Sequence, residues 1–196
     1  MRRVLRTSVV MLLAMTVLTG LAYPLVMTGI IQSTMSGRAN GSLVSQNGHV
    51  VGSSLIGQAF TNAKGQPLAT YFQPRPSASN YDAMASGGSN LGPSNPTLLS
   101  SVRQLTRTYR TFNHLSPGTL VPVDAVTTSA SGLDPDISIA NARLQAPRVA
   151  AARHLTLASV MSLIAGATQG RSLGILGEPA VNVLELNLAL DRLSRR

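Results

Sequence analysis

The strongest constraint on this chain is an uncharged, apolar stretch near its amino terminus. From Ser8 to Ile31 no Asp, Glu, Lys or Arg occurs over 24 residues, and most of the side chains are aliphatic. A helix of that length rises about 36 Å, which exceeds the thickness of a bilayer hydrocarbon core at about 30 Å. We therefore predict a transmembrane helix over residues 8–31.

The charges on either side of this helix predict its orientation. Residues 1–7 contain three arginines, whereas residues 32–41 carry only Arg38. Basic residues are enriched on the cytoplasmic side of membrane helices, so we predict a cytoplasmic amino terminus and an extracytoplasmic remainder. A cleaved signal peptide is the alternative, but its apolar region is usually about 7–15 residues long, and Leu21–Pro24 is a poor cleavage site. The favoured prediction is a retained single-pass anchor.

Composition limits what the remainder can do. The chain of 196 residues has no cysteine, which excludes a disulfide scaffold, a zinc-thiolate or iron–sulfur site and a cysteine nucleophile. Its net charge is +9, of which +6 belongs to residues 32–196, where Lys64 is the only lysine. Arginine pairs well with phosphates and carboxylates, so membrane lipid or an acidic protein surface is a predicted partner. Nucleic acid is not, because the domain is predicted to lie outside the cytoplasm.

The part of the chain beyond the anchor is predicted to form one domain. Residues 32–41 are rich in Gly, Ser, Asn and Ala and are predicted to be a flexible tether, and the folded domain covers residues 42–196. Asn47-Gly48 lies between two apolar pairs, which predicts a β-hairpin.

Apolar periodicity and capping residues predict the other elements. Asn95 is a good N-cap before a proline, which predicts a helix that ends near Asn113. Further strands are predicted at 71–72, 120–126 and 173–176. Further helices are predicted at 138–144, with a helical continuation over 148–154 after Pro147, at 156–170 and after Pro179. The predicted fold class is α+β, with one N-terminal transmembrane helix followed by a mixed α/β extracytoplasmic domain.

No motif for catalysis or for metal binding stands out. The three histidines have no ligand-like neighbours, so no metal site is predicted. The turn from Ser129 to Asp134 offers serine hydroxyls beside a carboxylate, but G-x-S-x-G is absent and no histidine is placed to act as a base. No catalytic residue is predicted, and a membrane-tethered serine hydrolase is kept as the alternative function.

Two groups of residues are candidates for contacts with a partner. The loop over residues 77–95 is small, polar and too long for a passive connector, which is typical of interface loops. Its candidates, together with two from the 129–135 turn, are Ser86, Gly87, Gly88, Ser89, Asn90, Ser131 and Asp134. A second group, Gln145, Arg148 and Arg153, lies near one helical face and could reach a phosphate or carboxylate. Ion pairing within the domain or across a subunit contact is the favoured alternative for that group.

Several segments occur in a recognisable order along the chain. They are GSSLIGQ (52–58), YFQPRPS (71–77), SGGSNLGP (86–93), SASGLDP (129–135), QAPRVA (145–150) and GEP followed by VNVL (177–184). Together with the single anchor they resemble the C subunits of the Kdp potassium-transporting ATPases over nearly the whole chain. The chain lacks a selectivity-filter sequence and an aspartyl-phosphate motif, so it is not predicted to conduct ions or hydrolyse ATP by itself.

The resemblance implies a non-catalytic accessory subunit of an ATP-driven potassium importer in the bacterial inner membrane. Its implied partners are a channel-like potassium-binding subunit, a P-type ATPase subunit and a small single-helix subunit. The implied role is to stabilise the assembly and to support the ATP affinity of the ATPase subunit. ATP association is implied by the resemblance alone, through a glutamine that matches Gln145. Because an extracytoplasmic domain cannot meet cytoplasmic ATP, we favour assembly and indirect support over direct nucleotide contact.

Overall fold

The computed structural model describes residues 1–193, which form two compact units that divide between Val44 and Ser45. The amino-terminal unit is one long apolar helix, and the second unit mixes helices with short strands. The predicted α+β class is therefore confirmed.

The helix of the amino-terminal unit runs from Arg2 to Ala39 and is the one described helix long and apolar enough to cross a membrane. It consists of α1 (Arg2–Val17), a π-turn (Leu18–Ala22) and α2 (Tyr23–Ala39). It contains no buried residue, so its apolar side chains are free to meet lipid or another helix. The predicted span 8–31 lies inside it.

The π-turn lies directly before Pro24, where the sequence predicts a kink. Proline has no N–H and its ring clashes with the carbonyl of the fourth residue before it, here Gly20. In the π-turn the N–H of Tyr23 bonds the carbonyl of Leu18, five residues earlier, which widens the helix at this position. The helix thus passes Pro24 by a wider turn rather than by ending.

The tether predicted over residues 32–41 is helical as far as Ala39. Met35 interrupts the helical backbone with φ −143° and ψ 47°. Within this segment the hydroxyls of Ser33 and Thr34 each donate to the carbonyl of Ile30. The role of residues 32–41 as a tether stays a prediction.

The predicted hairpin is present. Strand β1 (Leu43–Gln46) pairs with β2 (His49–Ser53) across Asn47-Gly48. Both turn residues have positive φ, 52° and 80°, as a type I′ turn requires.

The remaining elements are α3 (Pro96–Phe112), β3 (Asp136–Ser138), α4 (Ile139–Arg153), α5 (Leu157–Ala167), β4 (Thr168–Gln169), β5 (Ala180–Asn182) and α6 (Val183–Leu193). Helices α3 and α5 begin as predicted, because the side chains of Asn95 and Thr156 accept hydrogen bonds from the first turn of each helix. The helix after Pro179 is also confirmed. The helical continuation predicted after Pro147 is present, and α4 runs through the proline unbroken, because Pro147 lies on its exposed side, where water can reach the unpaired carbonyl.

The core lies between a small sheet and three helices. The sheet is antiparallel in the order β3-β5-β4, with Ile137 and Thr168 both opposite Val181. Helix α5 packs against both α4 and α6, and all three helices contact β5. The buried residues of this core are Phe72, Ile137, Ala142, Ala146, Val149, Ala150, Val160, Ile164, Val181, Val183, Leu186 and Leu190.

Three predicted strands do not form. Residues 120–126 contain a 3₁₀ turn at Val123–Ala125, and residues 173–176 form a tight, exposed turn. Residues 71–72 pair with no strand, because two prolines follow and side chains occupy the backbone groups instead. Asn187 of α6 accepts a bond from the N–H of Phe72 (2.9 Å) and donates to its carbonyl (3.0 Å).

We predict that Asn187→Leu lowers the free energy of unfolding by about 2–4 kcal/mol, because both backbone groups of Phe72 lose their partner inside the protein. The measurement is denaturant unfolding of the full chain in mild detergent, followed by circular dichroism. Thr108→Leu on the exposed side of α3 is the control and is expected to change little. A loss in Asn187→Leu no larger than in the control contradicts the prediction.

Candidate functional site

Helix α4 has a polar face that is buried. Its opposite face supplies alanine and valine to the core, but four polar residues at helical spacing lie together on the other side: Ser138, Asn141, Gln145 and Arg148. Buried polar groups are stable only when they are hydrogen-bonded, so each must have partners. Most of these partners lie in residues 69–77, called the 69–77 segment below, and at the end of α3.

Gln145 uses all of its hydrogen-bonding capacity inside the domain. Its Oε1 accepts bonds from the N–H of Gln73 (2.8 Å) and from Arg148 (2.9 Å). Its Nε2 donates to the carbonyl of Gln73 (3.0 Å) and to Asn141 (2.9 Å). The side chain therefore replaces a neighbouring strand for Gln73, as Asn187 does for Phe72.

Arg148 is a buried cation that forms no ion pair among the described residues. Its guanidinium donates to Asn113 (2.9 Å) and to the carbonyls of Ala69 and Tyr71, and it lies 4.4 Å from the centre of the Phe112 ring. The carboxyl end of α3, which is the negative end of its dipole, thus faces the charge. Burial lowers the pKa of Arg148 to about 10, and the guanidinium remains charged at neutral pH.

The network extends from Gln145 towards the start of α4. Asn141 accepts a bond from the hydroxyl of Tyr109 (2.7 Å) and donates to Asp124 (2.9 Å). Asp124 also accepts from both the N–H and the hydroxyl of Ser138. Burial, and then the charge of Asp124, raise the pKa of Tyr109. The carboxylate thus fixes the first turn of α4.

Arg153, at the carboxyl end of α4, also contacts the 69–77 segment. It donates to the carbonyl of Thr70, pairs with Asp191 of α6 (2.8 Å) and lies over the ring of Tyr71 at 4.5 Å. Tyr71 in turn donates to Asp191 (3.3 Å).

The structure therefore brings Gln145, Arg148 and Arg153 together around the backbone of residues 69–73. A nucleotide or partner contact through these side chains stays a prediction, and it would require the segment to move away. The amides that share the task were not identified from the sequence: Asn113, Asn141 and Asn187. For Asn141 and Asn187 the signal was a polar residue inside a helix whose other residues supply apolar side chains to the core, whereas Asn113 caps the end of α3.

The second group of predicted residues also converges. The N–H of Gly87 and the hydroxyl of Ser86 both bond the carbonyl of Ser131 (2.8 and 3.0 Å). The loop that contains Gly88 thus packs on the 129–135 turn. Ser89 and Asn90, which follow in the same loop, are exposed. This pairing was not predictable from local patterns, since about forty residues separate the two segments.

Glycine is required where the two loops touch. A Cβ atom on Gly88 would lie 2.9 Å from the carbonyl oxygen of Ala130, and one on Gly132 would lie 2.7 Å from that of Gly87. Gly132 also has φ +68°, in the left-handed region. The loops approach at backbone contact distance, which only residues without a side chain allow.

A cleft of about 630 Å³ opens beside these loops. Its wall includes an ion pair between Arg75 and Asp134 at 2.7 Å. Arg75 lies between two prolines in the 69–77 segment. Because Gln73 of the same segment is bonded to Gln145, this segment connects α4 to the cleft. The lining residues are Leu55, Ile56, Arg75, Thr128, Ser129, Ala130, Ser131, Leu133, Asp134 and Pro135.

The cleft holds two serine hydroxyls beside a carboxylate that is already paired. The hydroxyls of Ser129 and Ser131 lie 3.4 Å apart, and no histidine lines the cleft. Asp134 is already bonded to Arg75 and to the N–H of Asp136 (3.0 Å). A serine in this setting has no base to remove its proton. Among residues 1–193, no three potential metal ligands converge.

Comparison with known proteins identifies close relatives. The family model described as K+-transporting ATPase, c chain (KdpC) matches residues 5–192. A "Potassium-transporting ATPase KdpC subunit" from Mycobacterium tuberculosis H37Rv is 55% identical over 98% of this chain and 100% of its own length. Proteins of the same name from Acidobacterium capsulatum (52% identical) and Bradyrhizobium diazoefficiens (50%) cover 96% and 98% of this chain, and each aligns over 98% of its own length.

We predict that Gln145→Leu destabilises the chain by about 2–5 kcal/mol in the absence of any nucleotide, because Gln73 and Arg148 lose buried partners. Denaturant unfolding in detergent measures this, with Gln104→Leu on the exposed face of α3 as the matched control. Equal stability of the two variants would mean that Gln145 is free to contact a group outside the chain.

Asp136 predicts a pH dependence. Burial, and then the charge of Asp134, raise its pKa, against the bond from Asn182 that lowers it. A raised pKa means that the folded state holds the proton more tightly, so this contribution to stability is complete at low pH and is lost as pH rises through the raised value. We expect Asp136→Asn to unfold at a higher denaturant concentration than the unmodified chain at pH 7, with the difference shrinking towards pH 3. A lower midpoint at pH 7 would contradict this.

Proposed function

Because the chain belongs to the KdpC family of potassium-transporting ATPase subunits, we propose that it stabilises the assembly of the pump and supports the affinity of the ATPase subunit for ATP, without catalysing a reaction itself. The observation that carries this proposal is the extent of the match. It covers residues 5–192, and so includes both the anchor helix and the outer domain.

The chemistry of the cleft supports a non-catalytic role. Its two serine hydroxyls have each other and backbone groups as partners, and its carboxylate is held by Arg75. A serine hydrolase would need a base at hydrogen-bond distance from the nucleophile. No observation favours that alternative function.

The anchor supports membership of a membrane complex. We propose that residues 1–7 are cytoplasmic, that residues 8–31 span the bacterial inner membrane and that the domain from residue 42 onward is extracytoplasmic. Gly20 and Gly29 leave open space on the helix surface, which would allow the helix of a partner to approach closely. The proposed partners are a channel-like potassium-binding subunit, a P-type ATPase subunit and a small single-helix subunit.

This orientation makes the effect on ATP indirect. An outer domain is separated from cytoplasmic nucleotide by the bilayer, so it can alter ATP affinity only by favouring one conformation of its partners. The internal saturation of Gln145 supports this view, since the side chain has no free donor or acceptor to offer a nucleotide.

We propose that the paired loops around Ser86–Asn90 and Ser131–Asp134 form the contact with the channel-like subunit and act as a structural cap. A net charge of +6 on residues 32–196 would repel potassium rather than concentrate it. The acidic side chains also accept internal hydrogen bonds, as seen at Asp82, Asp124, Asp134 and Asp136. These carboxylates therefore accept hydrogen bonds within the chain, and we do not expect them to bind a cation.

The orientation can be tested because the chain has no cysteine. We expect Lys64→Cys to react with a membrane-impermeant maleimide in intact spheroplasts and Val4→Cys to react only after lysis. The reverse pattern would place the domain in the cytoplasm and would reopen direct nucleotide contact.

The assembly role can be tested at the exposed residue Ser89. We expect Ser89→Arg to reduce co-purification with tagged ATPase subunit several-fold and to raise the KM for ATP of the purified complex. Gln104→Arg on α3 adds the same side chain elsewhere and is expected to leave both unchanged. Full assembly with an unchanged KM in Ser89→Arg would show that this loop is not the contact.

A further inference from the structure

Helix α3 carries a row of arginines along one side. Arg107 follows Arg103 by four residues and Arg110 follows by three more, which places all three on the same side of the helix. The guanidinium of Arg110 donates two hydrogen bonds to the carbonyl of Thr119 (3.0 and 2.7 Å). Arg103 and Arg107 are exposed, and within residues 1–193 neither guanidinium forms an ion pair or a hydrogen bond. Two cations one helical turn apart are therefore unpaired.

The neighbouring chain supplies no counter-charge for these two arginines. Residues 83–123 contain no Asp or Glu. The next acid, Asp124, already accepts hydrogen bonds from Ser138 and Asn141. Guanidinium groups bind phosphate oxygens through several N–H groups at once, and such charge-assisted bonds are strong. The chemistry of this side of α3 therefore fits an anionic partner.

Exposed aliphatic side chains lie next to the end of the arginine row. Leu120 directly follows Thr119, the residue that Arg110 holds, and is 88% exposed. Val123 is 72% exposed, and residues 111–123 contain no Asp, Glu, Lys or Arg. Segments that lie in a membrane interface combine these features, because their apolar side chains enter the acyl boundary while their cations meet the lipid phosphates.

An anionic phospholipid layer satisfies both parts of this surface. An acidic protein surface would offset the arginine charges but would leave the aliphatic side chains against polar groups. The chain also carries its own attachment to a bilayer, since the helix Arg2–Ala39 is long and apolar enough to cross one and only residues 40–42 separate it from β1. This short covalent link gives the domain a high effective concentration near the headgroups, so a weak attraction suffices.

We propose that Arg103 and Arg107, with Leu120 and Val123 beside them, dock on anionic phospholipids of the bilayer in which the chain is anchored. The two guanidinium groups bind lipid phosphates, and the two aliphatic side chains enter the acyl boundary. The domain is then held to the membrane at a second place besides the anchor helix. The argument applies to either leaflet, so it depends neither on the proposed orientation nor on the proposed role in assembly.

The test uses the full-length chain in lipid nanodiscs, with an environment-sensitive dye on Leu120→Cys. The thiol is unique because the chain has no cysteine. We expect a blue shift in nanodiscs of phosphatidylcholine and phosphatidylglycerol in equal parts, relative to nanodiscs of phosphatidylcholine alone. High salt is expected to abolish this shift, since it screens the attraction between the arginines and the phosphates.

Substitutions in the labelled chain test the arginines directly. Each arginine near an anionic surface strengthens association about fivefold, so Arg103→Gln with Arg107→Gln is expected to lower the ratio of docked to undocked chain about 25-fold and to remove the shift. Lysine at both positions keeps the charge and is expected to keep most of the shift. The matched control, Arg143→Gln with Arg192→Gln, removes the same charge from exposed residues of α4 and α6 and is expected to keep the shift.

Three outcomes would overturn the proposal. If the glutamine pair on α3 keeps the shift, or the control pair loses it as fully, the effect comes from the net charge of the domain. If the shift is absent in anionic nanodiscs and appears only when the other pump subunits are added, the partner is a protein surface. A shift at high chain concentration in detergent without lipid would indicate self-association. None of these outcomes bears on the proposed function, because the chain is measured apart from the pump in all but one.

Discussion

The outer domain depends on side chains that take the place of a β-strand. Residues 69–73 form a turn followed by irregular chain, and their backbone groups pair with Gln145, Arg148 and Asn187 rather than with another strand. Two primary amides each satisfy the N–H and the carbonyl of a single residue, which reproduces the pairing of a strand neighbour. If these contacts were lost, backbone groups next to the buried Phe72 ring would lose their hydrogen bonds, at a cost comparable to much of a small domain's net stability.

The 69–77 segment joins the core to the candidate partner surface. At one end it is fixed to α4 and α6, and at the other Arg75 enters the ion pair with Asp134 at the edge of the cleft. Tyr81, whose hydroxyl donates to the carbonyl of Arg75, is half-buried there, and burial raises its pKa to about 12. The loops that line the cleft are therefore bonded to the same segment of chain that is bonded to the core helices.

Local patterns predicted the elements that depend on neighbouring residues. The hairpin follows from the positive φ that Asn47-Gly48 allows, and the starts of α3 and α5 follow from capping side chains two or three residues from the groups they bond. The failures involve long-range contacts. Residues 71–72 were predicted as a strand, because an apolar run does not show whether its backbone pairs with another strand or with side-chain amides more than 70 residues away. The exposed turn at 173–176 was predicted as a strand for the same reason, since alternation cannot show that no core lies beside it.

The sequence by itself determined the membrane helix, the α+β class and the residues that form the two candidate groups, because length, charge placement and residue chemistry are local properties. Only the tertiary structure decided what these groups do within the domain. It placed Gln145 and Arg148 in a saturated internal network, and it brought Gly87 against Ser131 to form one surface. Hydrogen-bond saturation depends on which distant groups meet in three dimensions, and no spacing along the chain records that.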